Sequence, residues 1–504
     1  MTFRYPIQRI RHFKCQQRAF FAATAGPTIV IIDSGTGIQL SAWPDSTLSA
    51  KESGDAIDTC KEPPEKRRKL STQSNDEADK PTENKPAGLG ATKIPWSTIP
   101  ILVISSTGDH IVAVTGEDKC LRVFTVTRDG ALAQISERYM PKRPCAVTLT
   151  PDNSTILSGD KFGDVYSLPL IPKSEVVVLP SRKSAEPQKT FQPSATNLTV
   201  HTQRNLKALE QQLRNPHVVQ DRSEPTFEYK LLLGHVSMLT DMTLVSIPAT
   251  ASSSARSYLI TSDRDEHIRV SRGPSQSHII HNYCLGHTSF VSKLCVPSWH
   301  PNVLISGGGD NFIICWDWHK GRISQKLLLG GSSNIENEET ENQTPNKYDI
   351  IVSGIWAIPF SEVENAKGAI LVALEGVPKL LPFSLDLNGT LLALAPLELS
   401  GNPLDVISLE NSGKILVSLD NIHKPGSTNE LRDSTQESPL LQYFTPCSNG
   451  EISWTNSSIP AVDVINAREA TDTDADLGSQ KAEAMSSLLY TNGSLRKWSG
   501  GDDA

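Results

Sequence analysis

Short apolar stretches recur along this chain with turn residues between them, and their order repeats. Between residues 282 and 318, a Gly-His pair precedes apolar stretches at 290–296 and 303–306. A turn at Asp310 follows, and a last stretch ends in a Trp-Asp pair. Strands of this length and order are typical of one four-stranded blade of a WD-repeat β-propeller.

The segment before it has the same order, with apolar stretches at 238–245 and 258–261 leading into a hairpin at 262–271. The two turn positions, Asp265 and Asp310, are 45 residues apart, and an earlier pair of units repeats after 44 residues. Both intervals match one propeller blade, about 40–45 residues.

Weaker strand patterns at 19–32 and from 350 to 419 bring the count to seven blades. The sequence therefore predicts an all-β fold, a seven-bladed WD-repeat β-propeller within residues 1–425. Residues 426–504 are predicted to form a C-terminal extension, partly disordered or helical. Three polar stretches with too little apolar content to pack are predicted to be disordered insertions in the propeller, at about 45–93, 173–226 and 331–347.

Composition narrows the classes of function. The net charge of −8 gives no overall attraction for nucleic acid, so any such contact must use a local basic patch. The eight cysteines are scattered without a Cys-x-x-Cys pair, which argues against a disulfide framework and favours a reducing compartment. No secretory signal opens the chain, and no apolar run approaches the roughly 20 residues of a membrane span. We expect no membrane association.

The sequence contains no recognisable catalytic or cofactor motif. The glycines at 307–309 lie between two strands of a blade, with no following helix to hold a phosphate. His278 and His281 lack further ligands at metal-binding spacing, and no Gly-x-Ser-x-Gly or His-Glu-x-x-His motif occurs. We therefore expect a chain that is not an enzyme and that binds neither cofactor nor metal.

One constellation resembles a protease triad but has a simpler explanation. His287, Ser306, Asp310 and Trp316 have the spacing of the blade motif, in which these side chains bond to one another. We expect them to form a buried structural network that stiffens the blade.

The hairpin at 262–271, here called the charged hairpin, carries more charge than a turn requires. Asp265 is predicted to set the turn, and the apolar residues of the following strand to face the core. Glu266 and Arg269 are then left facing outward, with Asp265 and His267 beside them. These residues either form ion pairs within the surface of this chain or bind a partner. Exposed ion pairs contribute only about 0–1 kcal/mol to the stability of a fold, so stability alone does not explain them and partner binding is favoured.

Two basic groups have alternative interpretations. Lys142, Arg143 and Lys161, here called the basic cluster, are expected near each other with Arg138, either as phosphate contacts or as ordinary surface charge. The run at 66–69, Lys-Arg-Arg-Lys, is either a solvated charge run or a nuclear import signal.

Four segments give the chain a more specific resemblance. They are Lys-Arg-Pro-Cys-Ala at 142–146, Ser-Gly-Asp-Lys-Phe-Gly-Asp-Val-Tyr-Ser-Leu at 158–168, the charged hairpin at 262–271, and Cys-Leu-Gly-His-Thr-Ser-Phe-Val-Ser at 284–292. With these segments the chain resembles the non-catalytic WD-repeat subunit of the tRNA (guanine-N7-)-methyltransferase, in its fungal type. The Asp-Lys-Phe-Gly-Asp and Asp-Arg-Asp-Glu strings are more specific than a generic WD repeat.

The resemblance implies a propeller that binds and stabilises a separate catalytic subunit as a heterodimer. That partner would hold S-adenosylmethionine and methylate N7 of a guanine in the tRNA variable loop. It implies that Glu266 and Arg269 meet the catalytic subunit, and it adds weight to a nuclear location. The tRNA would be reached through the complex, with Lys142, Arg143 and Lys161 as candidate contacts. The alternative is a generic WD-repeat scaffold or a ubiquitin-ligase substrate adaptor.

Overall fold

The computed structural model describes twelve stretches of the chain. They are residues 3–44, 94–172, 199–200, 202–214, 227–248, 254–329, 350–360, 367–386, 389–432, 438–448, 452–468 and 475–497. The predicted insertions at 45–93 and 331–347, most of that at 173–226, the basic run at 66–69 and residues 499–504 lie outside the described residues.

The described strands form seven antiparallel sheets, and each sheet is built from one continuous part of the sequence. Blade 1 contains β1 to β4, at Ile7–Cys15, Arg18–Ala25, Thr28–Asp33 and Gln39–Trp43. Blade 2 contains β5 to β8, at Ile101–Ile104, His110–Val114, Cys120–Val126 and Leu132–Tyr139. Blade 3 contains β9 to β12, at Pro144–Leu149, Thr155–Asp160, Asp164–Pro169 and Lys230–Gly234, with helix α1 at Gln203–Arg214 before its last strand.

Blades 4 and 5 are the two units with the clearest repeat in sequence. Blade 4 contains β13 to β16, at Leu239–Ile247, Arg256–Asp263, Ile268–Arg272 and Ile280–Cys284, with a short 3-10 helix at Pro274–Gln276. Blade 5 contains β17 to β20, at Val291–Cys295, Val303–Gly308, Phe312–Asp317 and Arg322–Leu328.

Blades 6 and 7 complete the ring. Blade 6 contains β21 to β25, at Val352–Pro359, Gly368–Leu374, Lys379–Leu385, Leu391–Ala393 and Leu397–Glu398, the last two both pairing with β23. Blade 7 contains β26 to β29, at Pro403–Leu409, Lys414–Leu419, Leu441–Ser448 and Ile452–Ser457. Helices α2 and α3 follow at Pro460–Asn466 and Ala475–Leu489, and a 3-10 turn at Asn492–Leu495.

The prediction of an all-β, seven-bladed propeller is confirmed, but its predicted boundary at residue 425 is too early. β28 and β29 pair onto β27 and supply the outer half of blade 7, so the propeller continues to Ser457. The polar stretch between β27 and β28 concealed this pairing in the sequence.

The core lies between neighbouring blades. Each adjacent pair of blades encloses its own apolar cluster, including blades 7 and 1. The second strand of a blade is therefore covered on both faces, and β18 and β22 are buried along their whole length. Outer strands such as β20 are largely exposed. This is why second strands read as continuous apolar runs and outer strands do not.

The first strands of the blades contact one another around the centre of the ring, and β1 contacts β26 to close it. Asp405 is central to that closure. Its Oδ2 accepts from the Ile10 backbone N–H (3.0 Å) and from Arg11 Nη1 (2.6 Å), and its Oδ1 accepts from Trp356 Nε1 (3.2 Å). One buried carboxylate thus joins blades 6, 7 and 1.

Two kinds of connection lie at the same end of every blade, because strands in an antiparallel sheet alternate in direction. They are the turn between the second and third strands and the loop that leads to the next blade. We call this end of the propeller the upper face. The charged hairpin and the basic cluster both lie on it.

Candidate functional site

The turn of the charged hairpin is organised by Asp263. Its Oδ1 accepts from the backbone N–H groups of Asp265 (2.9 Å) and His267 (3.0 Å), and its Oδ2 lies 2.9 Å from His235 Nδ1. Burial opposes ionisation of Asp263, but these hydrogen bonds outweigh it, so its pKa lies below the ordinary value. The prediction that Asp265 sets the turn is wrong, because the carboxylate that accepts from the backbone N–H groups of the turn is that of Asp263.

Blade 5 shows the predicted structural network in full. His287 Nδ1 lies 2.7 Å from Asp310 Oδ2, and its Nε2 lies 2.7 Å from Ser306 Oγ. Trp316 Nε1 donates to the same hydroxyl at 2.7 Å. All four residues are buried, so the trio that resembles a protease triad has no access to a substrate.

Blade 4 departs from this network at its third strand. Ser271 replaces the tryptophan and is fully buried, and Arg269 contacts it. Arg269 Nε donates to Ser271 Oγ (2.9 Å) and Nη1 to the Gly234 carbonyl (3.2 Å). Arg269 is therefore half-buried and held by its own blade, with only part of its guanidinium at the surface.

The outward charges of the hairpin contact a segment near the C-terminus that the sequence does not predict to lie there. Arg264 Nε donates to the Leu495 carbonyl (2.8 Å) and its Nη2 to the Arg496 carbonyl (3.1 Å). Lys497 Nζ lies 3.2 Å from Asp265 Oδ1 and 3.8 Å from Glu266 Oε1. Internal ion pairs, the alternative raised from sequence, are thus present in the isolated chain.

This segment, residues 490–497, crosses the upper face from blade 7 to blade 4, and we call it the C-terminal strap. It starts at Tyr490, whose hydroxyl donates to Asp420 Oδ2 in blade 7 (2.6 Å). The Asn492 N–H then donates to Glu375 Oε1 in blade 6 (3.3 Å). Arg496 Nη2 donates to the Ile350 carbonyl (3.0 Å) before the strap reaches the charged hairpin. Contacts between residues so far apart in the sequence leave no pattern from which they could be predicted.

Glu266 has a backbone conformation that non-glycine residues rarely adopt, with φ of 74°. A side chain at left-handed φ costs about 1–2 kcal/mol. Asp263 holds the turn in this conformation, and the Glu266 side chain is 38% exposed. His267 beside it is exposed. The hairpin thus presents Asp265, Glu266 and His267 at the surface.

The basic cluster lies on blade 3, next to the charged hairpin. Lys142 Nζ lies 3.8 Å and Lys161 Nζ 5.7 Å from the ring centroid of Phe162, which is 52% exposed. Arg143 is exposed beside them, and its carbonyl accepts from the Lys161 N–H (3.1 Å). Arg138 does not join this surface, because it is buried and donates to the carbonyls of blade 3 at 169 and 170.

One loop connects the two candidate surfaces. The His235 N–H donates to the Gly163 carbonyl (2.9 Å), and the Arg264 N–H donates to the Met238 carbonyl (2.9 Å). Between these two contacts Val236 is fully exposed. The basic cluster, this loop and the charged hairpin therefore form one continuous strip of the upper face.

Comparison with known proteins places the chain in a family. A family model described as the tRNA methyltransferase TRM82 WD40 domain matches residues 21–444. The chain belongs to the TRM82 WD-repeat family. Its relatives include the tRNA (guanine-N(7)-)-methyltransferase non-catalytic subunit TRM82 of Coccidioides immitis (strain RS), 60% identical over 522 residues with 100% of both chains covered. The subunit of the same name from Aspergillus clavatus is 44% identical over 516 residues, covering 100% of this chain and 99% of that one.

The TRM82 family match includes the charged hairpin and the basic cluster, and it ends inside β28, before the strap. The alignments with the two TRM82 relatives extend over this whole chain, strap included. Among the described residues of this TRM82 family member, no group of three or more side chains could hold a metal ion. No helix in the described part is long and apolar enough to cross a membrane.

Proposed function

We propose that this chain is the non-catalytic subunit of a tRNA (guanine-N7-)-methyltransferase and binds the catalytic subunit through the charged hairpin. The observation that carries the proposal is the 60% identity to a subunit of that name over the full length of both chains. A propeller without a catalytic motif suits a subunit that acts by binding.

The conformation of Glu266 supports the proposed binding site. Glycine or asparagine would occupy φ of 74° at lower cost, yet a glutamate stands there with its carboxylate at the surface. Strained backbone at an exposed charged residue is a frequent property of binding sites. Internal stability does not explain this choice, because the ion pair to Lys497 is exposed and weak.

The division of labour follows from this assignment. The catalytic subunit binds S-adenosylmethionine and transfers the methyl group to guanine N7 in the tRNA variable loop, while this chain binds no cofactor. The complex is a one-to-one heterodimer in the nucleus. Lys142, Arg143 and Lys161 extend its tRNA-binding surface by contacting phosphates.

Charge reversal in the hairpin tests the binding site. We expect Glu266→Lys and Arg269→Glu each to abolish co-purification with the catalytic subunit, because removing one partner of a buried interface pair costs about 2–5 kcal/mol. Loss of N7-methylguanosine from tRNA, measured by nucleoside mass spectrometry in a deletion strain carrying each variant, should follow.

Matched reversals elsewhere provide the controls. Glu398→Lys changes a glutamate on blade 6 that also lies 3.8 Å from a lysine, and Arg272→Glu changes an arginine on the same strand as Arg269. Both should co-purify normally. If Glu266→Lys and Arg269→Glu also co-purify and support full methylation, the hairpin is not the binding site. If deletion of the whole chain leaves tRNA methylation unchanged, the generic adaptor is the better assignment.

A further inference from the structure

The charged hairpin is contacted by the end of the C-terminal strap. Arg264 belongs to the hairpin and is partly buried, with its guanidinium turned to the strap. Its guanidinium donates in a fork to two consecutive carbonyls, Leu495 at 2.8 Å and Arg496 at 3.1 Å. A planar guanidinium fixes such a fork far better than an ammonium group can.

The strap is itself anchored independently of the hairpin. Leu495 is 9% exposed, and Arg496 donates to the Ile350 carbonyl (3.0 Å) and lies over the Phe290 ring at 5.8 Å. Upstream, Asn492 contacts Glu375 in blade 6. The strap is therefore fixed to blades 5 and 6 when it meets Arg264 on blade 4.

The ion pairs of Lys497 are of a different kind. Lys497 is 55% exposed, and Asp265 and Glu266 are each 38% exposed. Pairs at this exposure contribute about 0–1 kcal/mol and exchange easily for another cation. The acidic side chains thus stay available to a partner, while the backbone that carries them is held by Asp263 and additionally by the contacts of Arg264 with the strap.

We propose that the C-terminal strap is part of the docking surface, and that Arg264 is a positioning residue which transmits the order of the strap to Asp265 and Glu266. This inference rests on the proposed function of the charged hairpin. The partner it fits is the catalytic subunit, through cationic side chains opposite Asp265 and Glu266. Fixing the hairpin before binding removes the entropy cost of ordering it at the interface.

Point variants in the full-length chain test this role. Arg264→Lys keeps the charge and loses the fork, and Leu495→Ala loosens the strap without touching the hairpin. Each ordered interface side chain corresponds to about a two- to tenfold change in Kd, so we expect each variant to bind the catalytic subunit about tenfold more weakly. The double variant should be scarcely weaker than either single one, because both act through one contact.

A second measurement separates positioning from general destabilisation. Amide hydrogen exchange of the hairpin should accelerate in both variants, while exchange in blades 1 and 2 and the thermal midpoint stay near wild type. Arg138→Lys is the matched control, because Arg138 also donates in a fork to two consecutive carbonyls, at 169 (2.6 Å) and 170 (2.9 Å), but between blades 2 and 3. It should leave Kd unchanged.

Three outcomes would overturn the proposal. Unchanged Kd for Arg264→Lys and Leu495→Ala would mean that the strap does not matter for docking. Tighter binding would mean that it competes with the partner. An effect that appears in Lys497→Gln but not in Arg264→Lys would mean that the strap acts through charge. Normal binding by Glu266→Lys and Arg269→Glu would instead remove the proposed site itself.

Discussion

Buried aspartates beside histidines hold the upper-face turns in three blades. Each of Asp263, Asp310 and Asp420 has a carboxylate oxygen within hydrogen-bond distance of a histidine ring nitrogen. For each, burial opposes ionisation, but the hydrogen bonds outweigh it and the pKa is lowered. A lowered carboxyl pKa stabilises the fold above the ordinary aspartate pKa, about 3.9. That stability is lost as pH falls through the lowered folded-state value.

The first prediction at the residue scale concerns acid stability. Asp310→Asn should lower the thermal midpoint at pH 7 and flatten its fall below about pH 4, since the variant has no carboxylate to protonate there. Midpoints measured from pH 2.5 to 7 check this. An equally steep fall in the variant would contradict it.

Asp160 provides the control of opposite sign. It is buried without a histidine partner, its Oδ2 has no hydrogen bond, and burial raises its pKa. Its stabilising contribution is present at low pH and is lost as pH rises through the raised value. Relative to wild type, Asp160→Asn should therefore raise the thermal midpoint more at pH 7 than at pH 4. This is the reverse of the effect expected for Asp310→Asn.

At the scale of strands and turns, what the sequence predicts depends on burial. The second strands are covered on both faces, so their apolar runs and their spacing indicated the blades directly. In the turn of blade 4 the 45-residue interval selects Asp265, whereas the carboxylate that reaches His235 belongs to Asp263. The strap contacts lie 231 residues from Arg264 and use backbone carbonyls, which no residue pattern encodes.

The basic cluster gives the element-scale prediction. Lys142→Glu and Lys161→Glu should weaken tRNA binding by the complex and leave binding of the catalytic subunit unchanged. Each lost phosphate contact should reduce the slope of log K against log salt by about one. Filter binding of tRNA between 50 and about 200 mM salt measures this slope.

Lys326→Glu is the matched control for that experiment. Lys326 Nζ also lies over a phenylalanine ring, 3.4 Å from the Phe312 centroid, but on the outer half of blade 5. Its substitution should leave the slope unchanged. An equal loss in all three variants would indicate a general charge effect and contradict a defined contact.

At the scale of the whole molecule, ring closure depends on Asp405. Among the described strands none is shared between blades 1 and 7, and packing of β1 on β26 together with the Asp405 contacts helps to join them. Asp405→Ala leaves three N–H groups, those of Ile10, Val406 and the Trp356 indole, without this acceptor, and it removes one of the two acceptors of Arg11 Nη1. We expect a loss of about 3–5 kcal/mol in the free energy of unfolding, measured by urea denaturation.

The same junction offers a control. Glu410 of blade 7 pairs with Lys14 of blade 1 at 3.0 Å, with both side chains more than half exposed. Glu410→Ala should cost less than about 1 kcal/mol. Similar losses for the two variants would show that burial of the Asp405 contacts is not what closes the ring.

The continuity of each blade in sequence has a consequence for biosynthesis. Because each described sheet takes its strands from one continuous part of the sequence, it can form as soon as its own segment has left the ribosome. The residues that fix Arg264 follow all seven blades in the sequence, and the first of them lies 231 positions after Arg264. A chain ended early by a premature stop or a protease after blade 7 keeps all seven sheets but loses the support of its hairpin. The proposed docking surface is therefore complete only after the segment that follows blade 7 has been made.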